Sequence, residues 1–184
     1  LLPYSDFDMA TVSVISPSGP LIAGKYGMGM LSVAATHPVG IEQLLDHWDI
    51  AQAEANKAGH VLERSSWRLM GPMHLAETFE KARDEVRYGM CMLEDYRAHI
   101  NPADAMDWSD SDRAVDILNE SGAAVIGTPA MARAQIERLI EKSGGFGTYM
   151  LMGVDWAQHP AQMNSQRLFA EEVIPYFNGL RAPM

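Results

Sequence analysis

Cysteine is almost missing. Cys91 is the single one in 184 residues, so no internal disulfide can staple the fold and a small disulfide-built secreted scaffold is excluded. Basic residues are scarce: 14 Lys and Arg stand against 24 Asp and Glu, a formal charge of −10. That field repels a phosphate backbone and argues against general nucleic-acid binding. No run approaches the ~20 consecutive apolar residues of a bilayer span. No basic, apolar signal sequence opens the chain, and the expected compartment is the cytoplasm. The histidines (His37, His47, His60, His74, His99 and His159) show no HExxH-type spacing, and Cys91 has no cysteine neighbour, so no metal site is expected. GxSxG, P-loop and paired-carboxylate patterns are missing too, so no catalytic acid, base or nucleophile is named.

What is present suits a folded protein. Hydrophobic residues make up 47% and charged residues 21%, the balance of a globular domain. The length suits one domain or part of a larger one. Leu1-Leu2-Pro3-Tyr4 reads as the interior of a longer protein.

Along the chain, Met9 to Ser16 is β-branched and stops at Pro17-Ser18-Gly19, a strand followed by a turn. Pro20 suits the first position of a short helix, Leu21 to Tyr26. Gly27 to Ala34 reads as a second buried strand. Ile41, Leu44, Leu45, Trp48, Ala51, Ala55 and Ala58 recur at helical steps, and Gly59 stops them. Arg68 to Ala76 is a third strand, in which Pro72 belongs near the end or at a bulge. Thr78 opens a helix whose face carries Phe79, Ala82, Val86, Met90 and Leu93. A polar loop at 101–111 and a helix from Asp112 to Glu120 follow. Thr128-Pro129 starts another helix, with Ile136, Leu139 and Ile140 inward and Gly144-Gly145 at its end. Thr148 to Gly153 is the fourth strand, and a last helix covers Ser165 to Tyr176. Strands alternating with helices imply an α/β fold with parallel strands and right-handed crossovers. Four βα units suit a small doubly wound sheet or half of an eight-stranded barrel. A half barrel leaves strand edges uncovered and needs a partner.

The most informative spot is Ser16-Pro17-Ser18-Gly19-Pro20. A strand ends, two hydroxyls and a glycine follow, and a helix begins. Free N–H groups and the positive helix end would face an anion there, and Gly19 would let it approach. An ordinary capped turn has the same pattern. Gly24 to Gly29 runs from helix into strand, the reverse of a dinucleotide fingerprint, and reads as close helix–strand packing. His74, near a strand's C-terminal end, and Trp156, after the last strand, are candidate pocket residues; a packed or solvated histidine is the favoured reading at 74, and a loop anchor is the alternative at 156. Met28, Met30, Met70, Met73, Met150 and Met152 fall in the strand regions and suit a core or the lining of an apolar pocket.

Five stretches together resemble the flavin-dependent luciferase-like monooxygenases, in the limonene 1,2-monooxygenase-like branch. They are residues 16–35 (SPSGPLIAGKYGMGMLSVAA), 46–55 (DHWDIAQAEA), 64–78 (RSSWRLMGPMHLAET), 125–157 (VIGTPAMARAQIERLIEKSGGFGTYMLMGVDWA) and 166–177 (QRLFAEEVIPYF). The resemblance implies a TIM (β/α)8 barrel, of which residues 1–184 form a single segment, the C-terminal half, with the N-terminal half absent. It implies reduced flavin (FMN), O2 and a small apolar organic substrate that receives one oxygen atom, and a flavin reductase as partner. It assigns Ser16, Ser18 and Gly19 to the flavin phosphate, although Pro17 stands where some relatives carry a second serine. Catalytic residues would lie in the missing half, so the segment by itself is expected to be inactive. Two alternatives share the same pattern: an F420 (deazaflavin)-dependent oxidoreductase of the same superfamily, and a non-catalytic half-barrel module that pairs with a homodimer mate.

Overall fold

A computed structural model describes residues 7–100 and 110–179. The expected loop at 101–111 lies, but for its last two residues, outside that range. In chain order the elements are β1 (Ala10–Ser13), α1 (Ser18–Tyr26), β2 (Gly29–Ser32), α2 (Pro38–Glu42), α3 (Leu44–Ala58) and β3 (Trp67–Leu75). Then come α4 (Phe79–Val86), α5 (Met90–Ile100), α6 (Ser111–Ser121), β4 (Val125–Gly127), α7 (Pro129–Ser143) and β5 (Thr148–Met152). Helix α8 (His159–Leu168) runs through a π turn into α9 (Ile174–Gly179). The fold is α/β, with parallel strands alternating with helices, as expected.

The described residues group into two compact units. One is the chain up to Gly71 with Glu137–Leu151; the other is Pro72–Ile136 with the chain from Met152 onward. In the first unit β1, β2 and β3 are parallel neighbours in that order, in register Ala10↔Gly29 and Met30↔Trp67. β5 also pairs with β3, and β1 ends the order. The core of this unit gathers Met30, Ile41, Leu44, Trp48, Trp67, Leu69 and Leu139. Trp48 and Trp67 stack with ring centroids 5.4 Å apart. The Arg64 guanidinium lies 4.6 Å over the Trp48 ring, a cation–π contact. Arg64 also donates to the carbonyls of Ser143 and Gly145, satisfying the C-terminal end of α7 where Gly144 takes φ +70°. Trp67 is fully buried, and its Nε1–H donates to Ser32 Oγ at 3.0 Å.

In the second unit the C-terminal part of β3 pairs in parallel with β4, Met73↔Val125 to Leu75↔Gly127. Pro72 is the sixth of the nine residues of β3, between those in register with β2 (Trp67–Leu69) and those in register with β4 (Met73–Leu75), rather than at the strand's end. Ala76, Ala82, Val86, Met90, Val115, Ile126 and Trp156 form the core of this unit. Glu77, just past β3, accepts from Lys81 Nζ (2.7 Å) and Asn164 Nδ2 (3.1 Å), joining α4 to α8. These bonds, Lys81 first, hold its carboxyl down at about 2.

Several expectations shift. Helix α1 begins at Ser18, so Pro20 stands third, still among the N–H groups that lack an intrahelical partner. Leu45 and Ile140 are exposed, at 47% and 41%; His47 takes the inward place beside Leu44 and Trp48. The helix after Thr78 is two helices, because Gly89 docks: its N–H donates to Trp156 O at 2.8 Å, and a Cβ there would lie 2.1 Å from Asp155 O. The side chain of Leu93 is outside the described set. β4 is an additional strand, and the last helix starts at His159 rather than Ser165.

Truncating Trp67 to alanine removes the Trp48 stack, the second ring under Arg64 (5.7 Å) and the Ser32 bond together. Trp67→Ala is expected to lower stability by about 3–5 kcal/mol, read from urea unfolding; a loss below ~1 kcal/mol would contradict this core. Glu77 is held below its ordinary value of 4.5, so its contribution is complete above that pH and is lost as pH falls towards about 2. Glu77→Gln should therefore flatten the acid-unfolding curve between those limits, and an unchanged curve would show the cluster to be idle.

Candidate functional site

The turn between β1 and α1 belongs to the first unit. Val14, Ile15, Ser16, Pro17 and Ser18 are exposed, whereas Gly19 and Pro20 are buried. Ser16 Oγ and Ser18 Oγ lie 2.7 Å apart, one hydroxyl donating to the other. Pro17 stands at the N-cap, no side chain caps α1, and its first turn holds no acidic residue. Leu21 N donates to Pro17 O at 3.0 Å, so the helix ladder starts there. The Ser18 and Gly19 N–H groups precede it and have no intrahelical partner by position. An uncapped helix start with two hydroxyls and no carboxylate is a donor set that suits an anion.

Gly19 has a second reason to be glycine. A Cβ there would lie 2.4 Å from Val12 O and 3.0 Å from Ser13 Cα. The helix start is pressed onto the strand it follows, and only a hydrogen fits between them. Gly24 does the same towards α3, where a Cβ would meet Ala51 O at 2.2 Å. Close helix–strand packing was the expectation for Gly24 to Gly29; at Gly24 the neighbour is instead a helix, α3. Gly27, at φ +65°, ends α1 before β2 begins.

Composition and spacing gave His47 no role beyond one of six scattered histidines. It is 2% exposed, in the first turn of α3. Its Nε2 lies 3.1 Å from Ile15 O, and its Nδ1 lies 3.0 Å from Ser13 Oγ. A carbonyl only accepts, so Nε2 donates to Ile15 O, while Nδ1 pairs with the serine hydroxyl, which can donate or accept. The ring thereby bridges the end of β1 to the residue before Ser16. Its place on the helix's buried face, with Leu44, Trp48, Ala51 and Ala55, was the available signal: a buried histidine needs partners.

The other candidates lie in the second unit. His74 is 3% exposed, and its Nε2 is 2.8 Å from Glu85 Oε2 on α4. Lys81 Nζ lies 3.8 Å from the other oxygen of that carboxylate. Trp156 is fully buried in the core with Ala82 and Val86 of the same helix, and its carbonyl receives Gly89 N–H. Its Nε1–H has no partner among the described residues. Of the strand methionines, Met30 and Met73 are buried, while Met150 and Met152 are about 38–39% exposed. Among the described residues no group of three or more His, Cys, Asp or Glu is placed to hold a metal ion. No helix among them is long and apolar enough to cross a membrane.

No family profile matches the chain. Limonene 1,2-monooxygenase of Rhodococcus erythropolis is 48% identical over 181 residues, 98% of this chain and 46% of that protein. A solved type II Baeyer–Villiger monooxygenase, the oxygenating constituent of 3,6-diketocamphane monooxygenase from Pseudomonas putida in complex with FMN, superposes with TM-score 0.62. That match is 23% identical and covers 90% of this chain and 47% of the other. The coenzyme F420-dependent tetrahydromethanopterin reductase of Methanopyrus kandleri superposes with TM-score 0.56 at 17% identity, over 90% of this chain and 51% of its own. At such identities the two structures establish the fold alone. By sequence the chain is similar to limonene 1,2-monooxygenase and spans about half the length of the curated relative it matches.

Proposed function

We propose that this chain is the flavin-phosphate half of a flavin-dependent monooxygenase that transfers one oxygen atom from O2 to a small apolar organic substrate. The observation that carries the reading is the uncapped start of α1 at Ser16-Pro17-Ser18-Gly19, in a chain 48% identical to limonene 1,2-monooxygenase. Bound reduced FMN would supply the oxygen chemistry; the protein's share is binding and orientation. Ser18 and Gly19 would offer backbone N–H groups to the phosphate. The Ser16 and Ser18 hydroxyls, now bonded to each other, would turn outward to donate. Gly19 keeps the helix start against β1, so the donors hold still relative to the sheet. A flavin reductase is the partner class such an enzyme calls for, and the cytoplasm the compartment where it would work.

The same reading accounts for an uncovered surface. Parallel strands are ordinarily buried on both faces, yet Val12 of β1 is 53% exposed and Met150 of β5 is 38% exposed. β1 also ends the strand order, with its outer edge unpaired among the described residues. We propose that further βα units, an N-terminal half, complete a barrel over this sheet. The F420-dependent alternative shares the fold; the higher identity to a monooxygenase favours the first reading. His74 and Trp156 are proposed to shape the pocket from behind its wall, through Glu85 and Gly89, instead of touching substrate.

The test compares FMN with riboflavin, which differ by the phosphate alone. Calorimetric titration should show tighter binding of FMN. Replacing Ser16 and Ser18 together by alanine should cost about tenfold in FMN affinity, the worth of a hydrogen bond to a charged group, and leave riboflavin unchanged. Equal affinity for the two flavins in the unaltered protein would overturn the assignment.

A further inference from the structure

The segment that leads into the anion turn has little burial to hold it. Val14, Ile15, Ser16 and Pro17 are all exposed; Val14 and Ile15 are 50% and 44% accessible. A turn of this kind would ordinarily sample many backbone states, and ordering it on binding costs conformational entropy at each residue. Yet its two ends are tied. Behind the turn, Gly19 sits against Val12 O and Ser13 Cα. Ahead of it, the Ser13 carbonyl accepts from Val33 N at 3.0 Å, which fixes the strand end to the chain beyond β2. Between these points the contact arriving from outside the turn is the imidazole of His47. It holds the Ser13 hydroxyl on one nitrogen and the Ile15 carbonyl on the other.

The histidine is itself fixed. It lies on the inward face of α3, one residue before Trp48, which stacks on Trp67. The α1 backbone approaches α3 at Gly24 closely enough that no Cβ fits. Helix, ring and turn therefore form one rigid path from the core to Ser16. The titratable groups on neighbouring residues of α3, Asp46 and Asp49, are exposed. Ser13 and Ile15 are the groups on the ring nitrogens.

We propose that His47 is a positioning residue for the anion turn. By bridging the Ser13 hydroxyl and the Ile15 carbonyl, it presets residues 14–18 so that the Ser18 and Gly19 N–H groups converge before an anion arrives. The inference rests on the reading that this turn takes a phosphate, and it adds a residue that does not touch the phosphate. Neither serine of the turn nor the first turn of α1 changes when His47 is replaced. The effect must therefore travel through the backbone at Ile15.

The experiment follows the amide resonances of Ser16, Ser18 and Gly19 while inorganic phosphate is added. Three variants are compared with the unaltered chain. His47→Phe keeps the ring and loses both hydrogen bonds, His47→Gln restores a donor towards Ile15, and Ser13→Ala removes one bond with little change of volume. The unaltered chain should show saturable shifts at Ser18 and Gly19. In His47→Phe the midpoint should move up about tenfold or more, with faster hydrogen exchange confined to the turn. His47→Gln should recover part of that loss, and Ser13→Ala should show a smaller one of about threefold. If His47→Phe does not fold, Ser13→Ala and His47→Gln carry the test, and wild-type midpoints in both would overturn the proposal. Absence of any phosphate-dependent shift in the unaltered chain would overturn the phosphate reading itself. Shifts in the unaltered chain with identical midpoints in all variants would leave that reading standing and remove His47 from it.

Discussion

Helix α1 lies within backbone contact of two neighbours, and the geometry of the Ser16–Gly19 turn follows from that closeness. Gly19 lets it touch β1 and Gly24 lets it touch α3, at distances where any Cβ would strike a carbonyl oxygen. A helix packed this way has little freedom to slide or tilt, because side chains do not cushion the contact. Its N-terminal N–H groups therefore point in a direction that the sheet determines. The dipole of a single short helix is a weak attractant for anions in water. It gains value when the donors are already aimed and nothing else competes for them. Here no side chain caps the first turn and no acidic residue stands in it.

Below the turn, the first unit invests its aromatic residues in rigidity. The Trp48–Trp67 stack, the Arg64 guanidinium over it and the Trp67–Ser32 bond tie α3 to β2 and β3. Tyr149 of β5 donates to Gly71 O at 3.0 Å, and burial raises its phenol well above the ordinary value. The second unit uses polar ties instead: Glu77 between Lys81 and Asn164, and His74 with Glu85. Ser165 Oγ adds another by accepting the Leu75 N–H at 2.8 Å. The second unit's ties join the end of β3 and Glu77 just past it to α4 and α8.

The alternation of strands and helices was legible because each element carries its own signal. β-branched runs, helical spacing and glycine stops are local, and Gly27, Gly59 and Gly144 end helices where the pattern places them. What the sequence hid depends on residues far apart in the chain. The helix after Thr78 breaks at Gly89 because Trp156, 67 positions later, receives its N–H. β4 has three residues, too few to show a period. Proline at the first helical position is the usual rule, so Pro20 suggested a start two residues late. The Ser16–Gly19 turn stood out because its hydroxyls and glycine are contiguous. His47 did not, because its partners Ser13 and Ile15 lie 34 and 32 residues away. His74 and Trp156 were visible by position, yet position along a strand does not reveal that one faces Glu85 and the other is sealed in a core.

A crystal structure of the chain with FMN tests the central claim most directly. The account predicts phosphate oxygens within hydrogen-bond distance of the Ser18 and Gly19 nitrogens, with the His47 bridge intact beneath them. A phosphate held elsewhere, with that turn facing only water, would contradict it.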